Sequence, residues 1–391
     1  MSMDFNFSDE EQDFRRAVRD WVSAKYPKAK VNELERHEDH DGSNFPYAFF
    51  DDLASAGFLG VGIDESLGGQ GGGATMQAIL MDELARNLAG LTWVWGISSF
   101  CAKSIQKFAG PEIREEFVPA MVAGEKKVAI AITEPGGGTD LLGAMITRAT
   151  REDGGYLISG AKIWSTMAHV SDYLLLLAKT SDGEKSSHGK TLFLVPTDQD
   201  GVVARPIPKL GMRCVGSCEV QLEDAFVPES HVIGEIDRGW YHILTTLNNE
   251  RILVAALATG VLRGVMEDAV AYAKERRAFG HSIGDFQIIQ HWIAEMAMKL
   301  AQAELLTYKA AWLYDTGHDA AVESSMAKAI AAEYATWAAD RGIQILGGMG
   351  YAAEFDMQRY WRDVRLYQIG PVTNEMVRNI IAQHLGLERS F

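Results

Sequence analysis

Apolar positions along the first hundred residues recur at the spacing of helices. In "SDEEQDFRRAVRDWV" (8–22), Phe14, Val18, Trp21 and Val22 fall on one face. Ser8, with Glu11 three residues on, has the form of a capping box. "FPYAFFDDLASAGFLG" (45–60) and "ATMQAILMDELARNLAG" (74–90) repeat the pattern, each closed by glycine. Between them, "IDESLGGQGGG" (63–73) reads as a turn. No Lys-Ser/Thr pair follows it and no parallel-type strand precedes it, so it is not a phosphate loop.

Near residue 125 the period changes. "KKVAIAITE", "YLISGAKIWST", "DYLLLLAKT", "KTLFLVPT", "GVVARPIP" and "CEVQLEDAFVP" are short, β-rich and bounded by Gly, Asp, Ser or Pro. They predict a small antiparallel barrel or sandwich. From residue 240 the helical period returns in four stretches, 251–277, 286–317, 320–348 and 374–386. Three are long, with apolar stripes that suit a bundle. The expected architecture is α+β and mostly α. It has a helical domain (1–122), a middle β domain (123–233) and a C-terminal four-helix bundle (234–391).

Composition narrows the chemistry. The 391 residues carry a net charge of -16, which excludes nucleic acid as a bulk partner but leaves room for an anionic ligand in a local pocket. No apolar run reaches the length of a membrane span, and the acidic start lacks a targeting pattern, so a cytoplasmic protein is expected. The three cysteines, Cys101, Cys214 and Cys218, make no disulfide framework. Cys214 and Cys218 lack a nearby histidine, and His37 and His40 read as part of a solvated turn, so no metal is expected.

Two stretches in the β region carry specific chemistry. "AITEPGGGTD" (131–140) joins a strand end to a glycine turn that lets backbone N–H groups approach a ligand. "GAKIWSTMA" (160–168) puts Trp164 and Thr166 on one face of a strand by period-two alternation, an aromatic plane beside a hydroxyl. Together they resemble the flavin-contacting strands of the acyl-CoA dehydrogenase family. The resemblance runs on through "GMR" (211–213), "FVPESHVIGE", "LNNERILVAA", "ERRAFG", "FQIIQ", "QILGGMGY" and "WRDVRLYQI", in order and over nearly the whole chain.

The resemblance implies an FAD-dependent oxidoreductase acting on an acyl-CoA. Electron-transferring flavoprotein would be its redox partner, and a homotetramer its assembly. Thr133 and Thr166 would hydrogen-bond the flavin ring, with Trp164 packed against it. Thr139 would touch the pantetheine arm. Arg276, Phe279, Gln287, Gln344 and Gly348 would bind the nucleotide half of FAD across a subunit boundary. Thr373 and Glu375 match a Thr and a Gln that embrace the adenosine. Met167 and Ala168 replace the usual Asn-Gly.

The family reaction also needs a base for the α-proton. In many members it is the Glu of a Tyr-Glu-Gly-Thr stretch, but "RLYQIGPVTNEMVRNI" (365–380) offers Pro371 there. Some members carry the base near the head of the first long C-terminal helix. That match makes Glu250 the base, Arg251 its buttress and Asn248 a contact to coenzyme A. The bland alternative for Glu250 is a solvated charge in a first helical turn, favoured by the macrodipole. Pro371 also lacks the N–H that the family aims at the thioester carbonyl. Either Val372 supplies that donor, or polarisation is weaker, or the chemistry differs.

A similar ending occurs in the branch resembling crotonobetainyl-CoA reductase. Enoyl-CoA reduction, or flavin and acyl-CoA binding without turnover, are therefore the alternatives. "LTWVWGISSF" (91–100) matches the acyl-pocket helix of relatives. Trp93, Trp95 and Phe100 either shorten that pocket towards short, branched or cyclic acyl groups, or belong to the core.

Overall fold

The computed structural model describes residues 6–36 and 45–388; His37 and His40 lie outside the described residues. The chain runs through helices α1 (Asp9–Lys25), α2 (Lys28–Arg36), α3 (Tyr47–Ser55), α4 (Ala74–Leu88), α5 (Trp93–Phe108) and α6 (Pro111–Val122). Strands follow: β1 (Val128–Ala131), β2 (Arg148–Glu152), β3 (Gly155–Thr166), β4 (Tyr173–Lys179), β5 (Lys190–Pro196), β6 (Val202–Pro206), β7 (Ser217–Pro228) and β8 (Val232–Ile233). Then come α7 (Gly239–Glu275), the ribbon β9 (Arg277–Ala278) and β10 (His281–Ser282), and α8 (Gln287–Asp315). The chain ends in α9 (Ala321–Leu346), α10 (Gly348–Tyr351), α11 (Asp356–Tyr367) and α12 (Asn374–His384). It forms two compact units. One comprises Met1–Arg36, Gly73–Thr92 and Asn248–Phe391; the other comprises His37–Gly72 and Trp93–Leu247.

In the first unit, local chemistry sets the helix ends and small residues set the packing. The Glu11 amide donates to Ser8 Oγ at 3.2 Å and the Ser8 amide to Glu11 Oε2 at 2.7 Å, so the capping box forms as read. Asp315 caps α4 from a distance in sequence, accepting from the amides of Ala74 at 2.5 Å and Thr75 at 2.8 Å. Where α7 crosses α4 it presents Gly260 and Gly264. A Cβ at Gly260 would stand 2.1 Å from the Asp82 carbonyl oxygen, and one at Gly264 2.3 Å from that of Arg86. Only glycine allows that approach. α4 itself ends on Ala89 at φ 46, not on the glycine expected. The next residue, Gly90, donates its amide to Asp363 Oδ2 at 3.0 Å.

Two sequence expectations need amendment here. The four expected C-terminal helices are present, and the one-turn α10 and the longer α11 are additions. The inward face of α11 includes Arg359 and Asp363 beside Tyr360 and Tyr367, so charges interrupt the apolar stripe that would have revealed it. α7 starts at Gly239, where the helical period was expected to return, and twelve residues before the apolar stretch that opens at Arg251. Glu250 therefore lies in the fourth turn, beyond reach of the helix N-terminus, and the macrodipole explanation fails.

The second unit is built on one sheet in the order β6-β7-β3-β2-β4-β5-β8, with β1 beside β4. Most pairings are antiparallel, but β1 and β2 share an edge of β4 and run parallel to it, which the antiparallel reading did not include. β2 escaped notice because only Ala149 of its five residues is buried. The core is apolar, with Ile158, Leu174, Leu176, Phe193, Val195, Val220 and Val227 wholly buried. Trp95 lies in the interior of this unit with its indole N–H donating to the Phe58 carbonyl at 2.8 Å, so it belongs to the core. The 63–73 segment is a turn as expected. A Cβ at Gly69 would collide with the Ile63 carbonyl oxygen at 2.1 Å. No helix among the described residues is long and apolar enough to cross a membrane.

Candidate active site

In the second unit the residues of interest gather where β1 ends and β3 bends. Thr133 lies two residues past the end of β1, and its carbonyl accepts from the Ile163 amide at 2.9 Å. The β3–β7 register slips between Lys162 and Ser165. Trp164 sits in that bulge at φ 63 and is 55% exposed. A left-handed backbone at a bulky residue costs about 1–3 kcal/mol and persists only where surrounding structure holds it. Period-two counting does not survive the bulge, so that argument no longer puts Trp164 and Thr166 on one face. Thr166 is half-buried, with Oγ1 3.3 Å from Ser217 Oγ. The Ser165 hydroxyl, between them in sequence, is buried with no partner among the described residues. An exposed indole on this bulge is free to cover a flat heteroaromatic ring. Thr139 is exposed on the following turn, where Asp140 Oδ1 accepts from the Gly143 amide at 3.1 Å. Met167 and Ala168 lead into a short 3-10 turn, Met167 itself at φ 69.

In the first unit Glu250 is half-buried on α7 beside the buried Arg251. Loss of water pushes its carboxyl up to about 7, against the pull of the Arg251 guanidinium. Arg251 Nη1 donates to Asn248 Oδ1 at 2.9 Å, while its Nε is buried with no partner among the described residues. Burial lowers the Arg251 pKa and Glu250 opposes that shift. Asn249 Nδ2 donates to Gln77 Oε1 at 3.1 Å, tying this turn of α7 to α4.

Pro371 is exposed and brings neither carboxylate nor N–H. Beneath the turn it belongs to lies Lys328, a residue sequence reasoning missed. Its Nζ donates to the Val372 carbonyl at 2.5 Å and to Asn374 Oδ1 at 2.8 Å. Burial draws its pKa down to about 8, helped by Arg251 and Arg378 and opposed by Glu375 and Glu333. The Val372 amide has no acceptor among the described residues. Thr373 caps α12, its Oγ1 accepting from the Met376 amide at 3.2 Å. Glu375 is exposed beside it, and its carboxyl is held low chiefly by its own backbone amide.

The remaining candidates lie on exposed backbone. Arg276 precedes a two-residue hairpin turn whose tip holds Phe279 at φ 53 and 92% exposed. Phe286, edge-on to Phe279 at 6.2 Å, leads into the exposed Gln287 at the start of α8. Gln344, near the end of α9, and Gly348, opening α10, are exposed as well.

Comparison with known proteins gives matches along the chain. The profile described as "Acyl-CoA dehydrogenase, N-terminal domain" matches residues 8–125, the middle-domain profile 129–225 and the C-terminal-domain profile 237–386. Benzylmalonyl-CoA dehydrogenase of Aromatoleum aromaticum is 36% identical over 387 residues, covering 98% of this chain and 100% of that protein. The caffeyl-CoA reductase–Etf complex subunit of Acetobacterium woodii is 34% identical over 385 residues, 96% and 98% of the two chains. The structure of butyryl-CoA dehydrogenase from Megasphaera elsdenii superposes with a TM-score of 0.91 at 32% identity, covering 98% of this chain and 100% of that one.

Proposed function

The chain belongs to the acyl-CoA dehydrogenase family, and within it we propose an FAD-dependent enzyme that removes the α- and β-hydrogens of an acyl-CoA thioester, with Glu250 as the α-proton base. The observation that carries this is the carboxylate on α7, half-buried beside Arg251 and poised near neutrality, in a chain that has Pro371 where many relatives place their base. A base works best with its pKa near the working pH. When bound, the flavin would accept the β-hydrogen with its electron pair. The protein supplies the rest. Thr133 and Thr166 orient the ring and Trp164 covers it. Thr139 and Asn248 contact the coenzyme A arm. Arg251 holds Glu250 in register and favours its charged form as the proton is taken. Arg276, Phe279, Gln287, Gln344, Gly348, Thr373 and Glu375 take the nucleotide half of FAD.

Both curated relatives described above are named for thioesters with an aromatic ring, which supports an aryl-bearing acyl group. Trp93, buried on α5 with its indole N–H unpartnered, is the residue we assign to that ring; Trp95 is spent on the core. An electron-transferring flavoprotein is the proposed redox partner, in keeping with the printed name of the Acetobacterium relative. A homotetramer would cover the exposed Phe279 and Tyr351. Three free cysteines fit a reducing cytoplasm.

Anaerobic addition of 3-arylpropanoyl-CoA to the flavin-loaded protein, following the visible flavin band, tests this reading. Bleaching is expected; a band that no saturated acyl-CoA alters overturns it. The reductive direction is the second reading, favoured by a relative named as a reductase and by the carboxylate-free turn at Pro371. It requires that an arylacryloyl-CoA reoxidise the reduced protein without oxygen.

A further inference from the structure

Outside the proposed base and its neighbours, the second unit buries a full ion pair that the reaction does not use. Lys162 on β3 is 0% exposed and Glu134, just past β1, is 3% exposed. Lys162 Nζ donates to Glu134 Oε1 at 2.9 Å and to the Ile132 carbonyl at 3.1 Å. The same carboxylate accepts from the Ile146 amide at 2.7 Å on Oε2 and from the Thr147 amide at 3.0 Å on Oε1. Burial alone would raise the Glu134 pKa, but Lys162 and the Ile146 amide outweigh it and hold the carboxyl low. Burying two charges costs several kcal/mol per ion, and apolar residues of equal volume often serve stability as well or better. The apolar core of this unit is built from alanines, aliphatic side chains, Tyr156, Phe193 and Cys218, and the pair adds nothing to it that apolar side chains could not.

What the pair does hold is spacing. Its bonds converge on three backbone segments, at 132–134, 146–147 and 162. The first carries Thr133 and leads into the Thr139 turn. The third stands two residues before Trp164, at the edge of the same register slip. Two further bonds run alongside: the Ile163 amide to the Thr133 carbonyl, and Thr147 Oγ1 to the Ala161 carbonyl at 3.3 Å. Gly160 packs so closely on Thr147 that a Cβ there would come within 2.5 Å of its hydroxyl. We propose that Glu134 and Lys162 are positioning residues that fix Thr133, the Trp164 bulge and the Thr139 turn at their working separations before flavin arrives. This rests on the flavin reading above. The left-handed backbone at Trp164 needs support of this kind, and the pair is the charged group nearest to it in sequence.

The test is titration of the full-length apoprotein with FAD by fluorescence quenching, with thermal unfolding of the same preparations. Lys162→Met leaves the Glu134 carboxylate buried alone; Glu134→Gln with Lys162→Met removes both charges at similar volume. Both variants are expected to raise the Kd for FAD at least about tenfold and to shift the visible flavin band. The double variant should recover most of the thermal stability that the single one loses, without recovering affinity. A wild-type Kd in a folded variant with a lowered melting temperature would assign the pair to stability alone and overturn the proposal. If Lys162→Met does not fold, the double variant decides. Amide exchange on the wild-type apoprotein needs no substitution: Ile146 and Thr147 should already be protected. Protection that appears only after FAD is added overturns prior positioning. A wild-type protein that binds no FAD at all removes the flavin reading itself, a result separate from any difference between variants.

Discussion

Replacing Glu250 by glutamine should slow the reaction and stabilise the fold, in a pH-dependent way that the structure fixes. The carboxyl rises from 4.5 to about 7 because it has lost water, with Arg251 only partly restoring the charged form. At about 1.4 kcal/mol per pH unit, ionising it in the folded protein costs about 3 kcal/mol. The sign follows from linkage. A group whose folded pKa is raised contributes stability fully below its unfolded value and loses it as pH rises through the folded one. The wild type should therefore lose stability between about pH 4.5 and 7, while Glu250→Gln, which has no charge to bury, does not. At pH 8 the variant should be the more stable by up to about 3 kcal/mol; at pH 5 the gap should shrink below about 1 kcal/mol. Chemical denaturation at the two pH values reads this difference. Over the same range the wild-type rate of flavin bleaching should climb with a midpoint about pH 7, as the base loses its proton. The variant should be slower by about 10² to 10⁴. Equal stabilities at pH 8, or a bleaching rate flat across this range, would refute the argument that Glu250 is a desolvated base.

Three further outcomes follow from the packing. Gly260→Ala should cost at least about 2 kcal/mol by denaturant unfolding, because its methyl would stand 2.1 Å from the Asp82 carbonyl oxygen; a neutral result would mean that α4 and α7 separate freely. Asp315→Ala should cost about 1–2 kcal/mol, since two amides and the Thr75 hydroxyl lose their acceptor, and Asp315→Asn should recover part of the loss. Lys328→Met should speed amide exchange over residues 372–377, whose Val372 carbonyl and Asn374 side chain it holds; unchanged exchange would mean the turn is fixed from elsewhere.

The order of helices, sheet and helices was legible because apolar period switches cleanly from 3.6 to 2 and back. What escaped was set by tertiary contact. α11 hides behind Arg359 and Asp363, charges that burial would normally forbid: Arg359 pairs with Asp356 one turn back and reaches the Asn87 carbonyl, and Asp363 accepts from the Gly90 amide, the last two being long-range partners visible only in the fold. β2 has a single buried side chain and no alternation to read. The bulge at Trp164 cannot be seen in a string of residues, because a bulge is a relation between two strands. The environment of Glu250 was not legible, since α7 begins in "GWYHILTT", where apolar and polar residues mix. Lys162 left a faint signal, a lysine at an inward position of a strand, and its partner Glu134 lay 28 residues away across the sheet.

The central claim is that this chain takes the α-proton of an acyl thioester with Glu250 rather than with a carboxylate at position 371. The direct measurement is deuterium uptake at C2 of 3-arylpropanoyl-CoA in D2O. It is read by mass spectrometry after anaerobic incubation with the flavin-loaded wild type and with Glu250→Gln. The account predicts uptake with the wild type and a rate at least about a hundredfold lower with the variant. Equal uptake by the two proteins would contradict it.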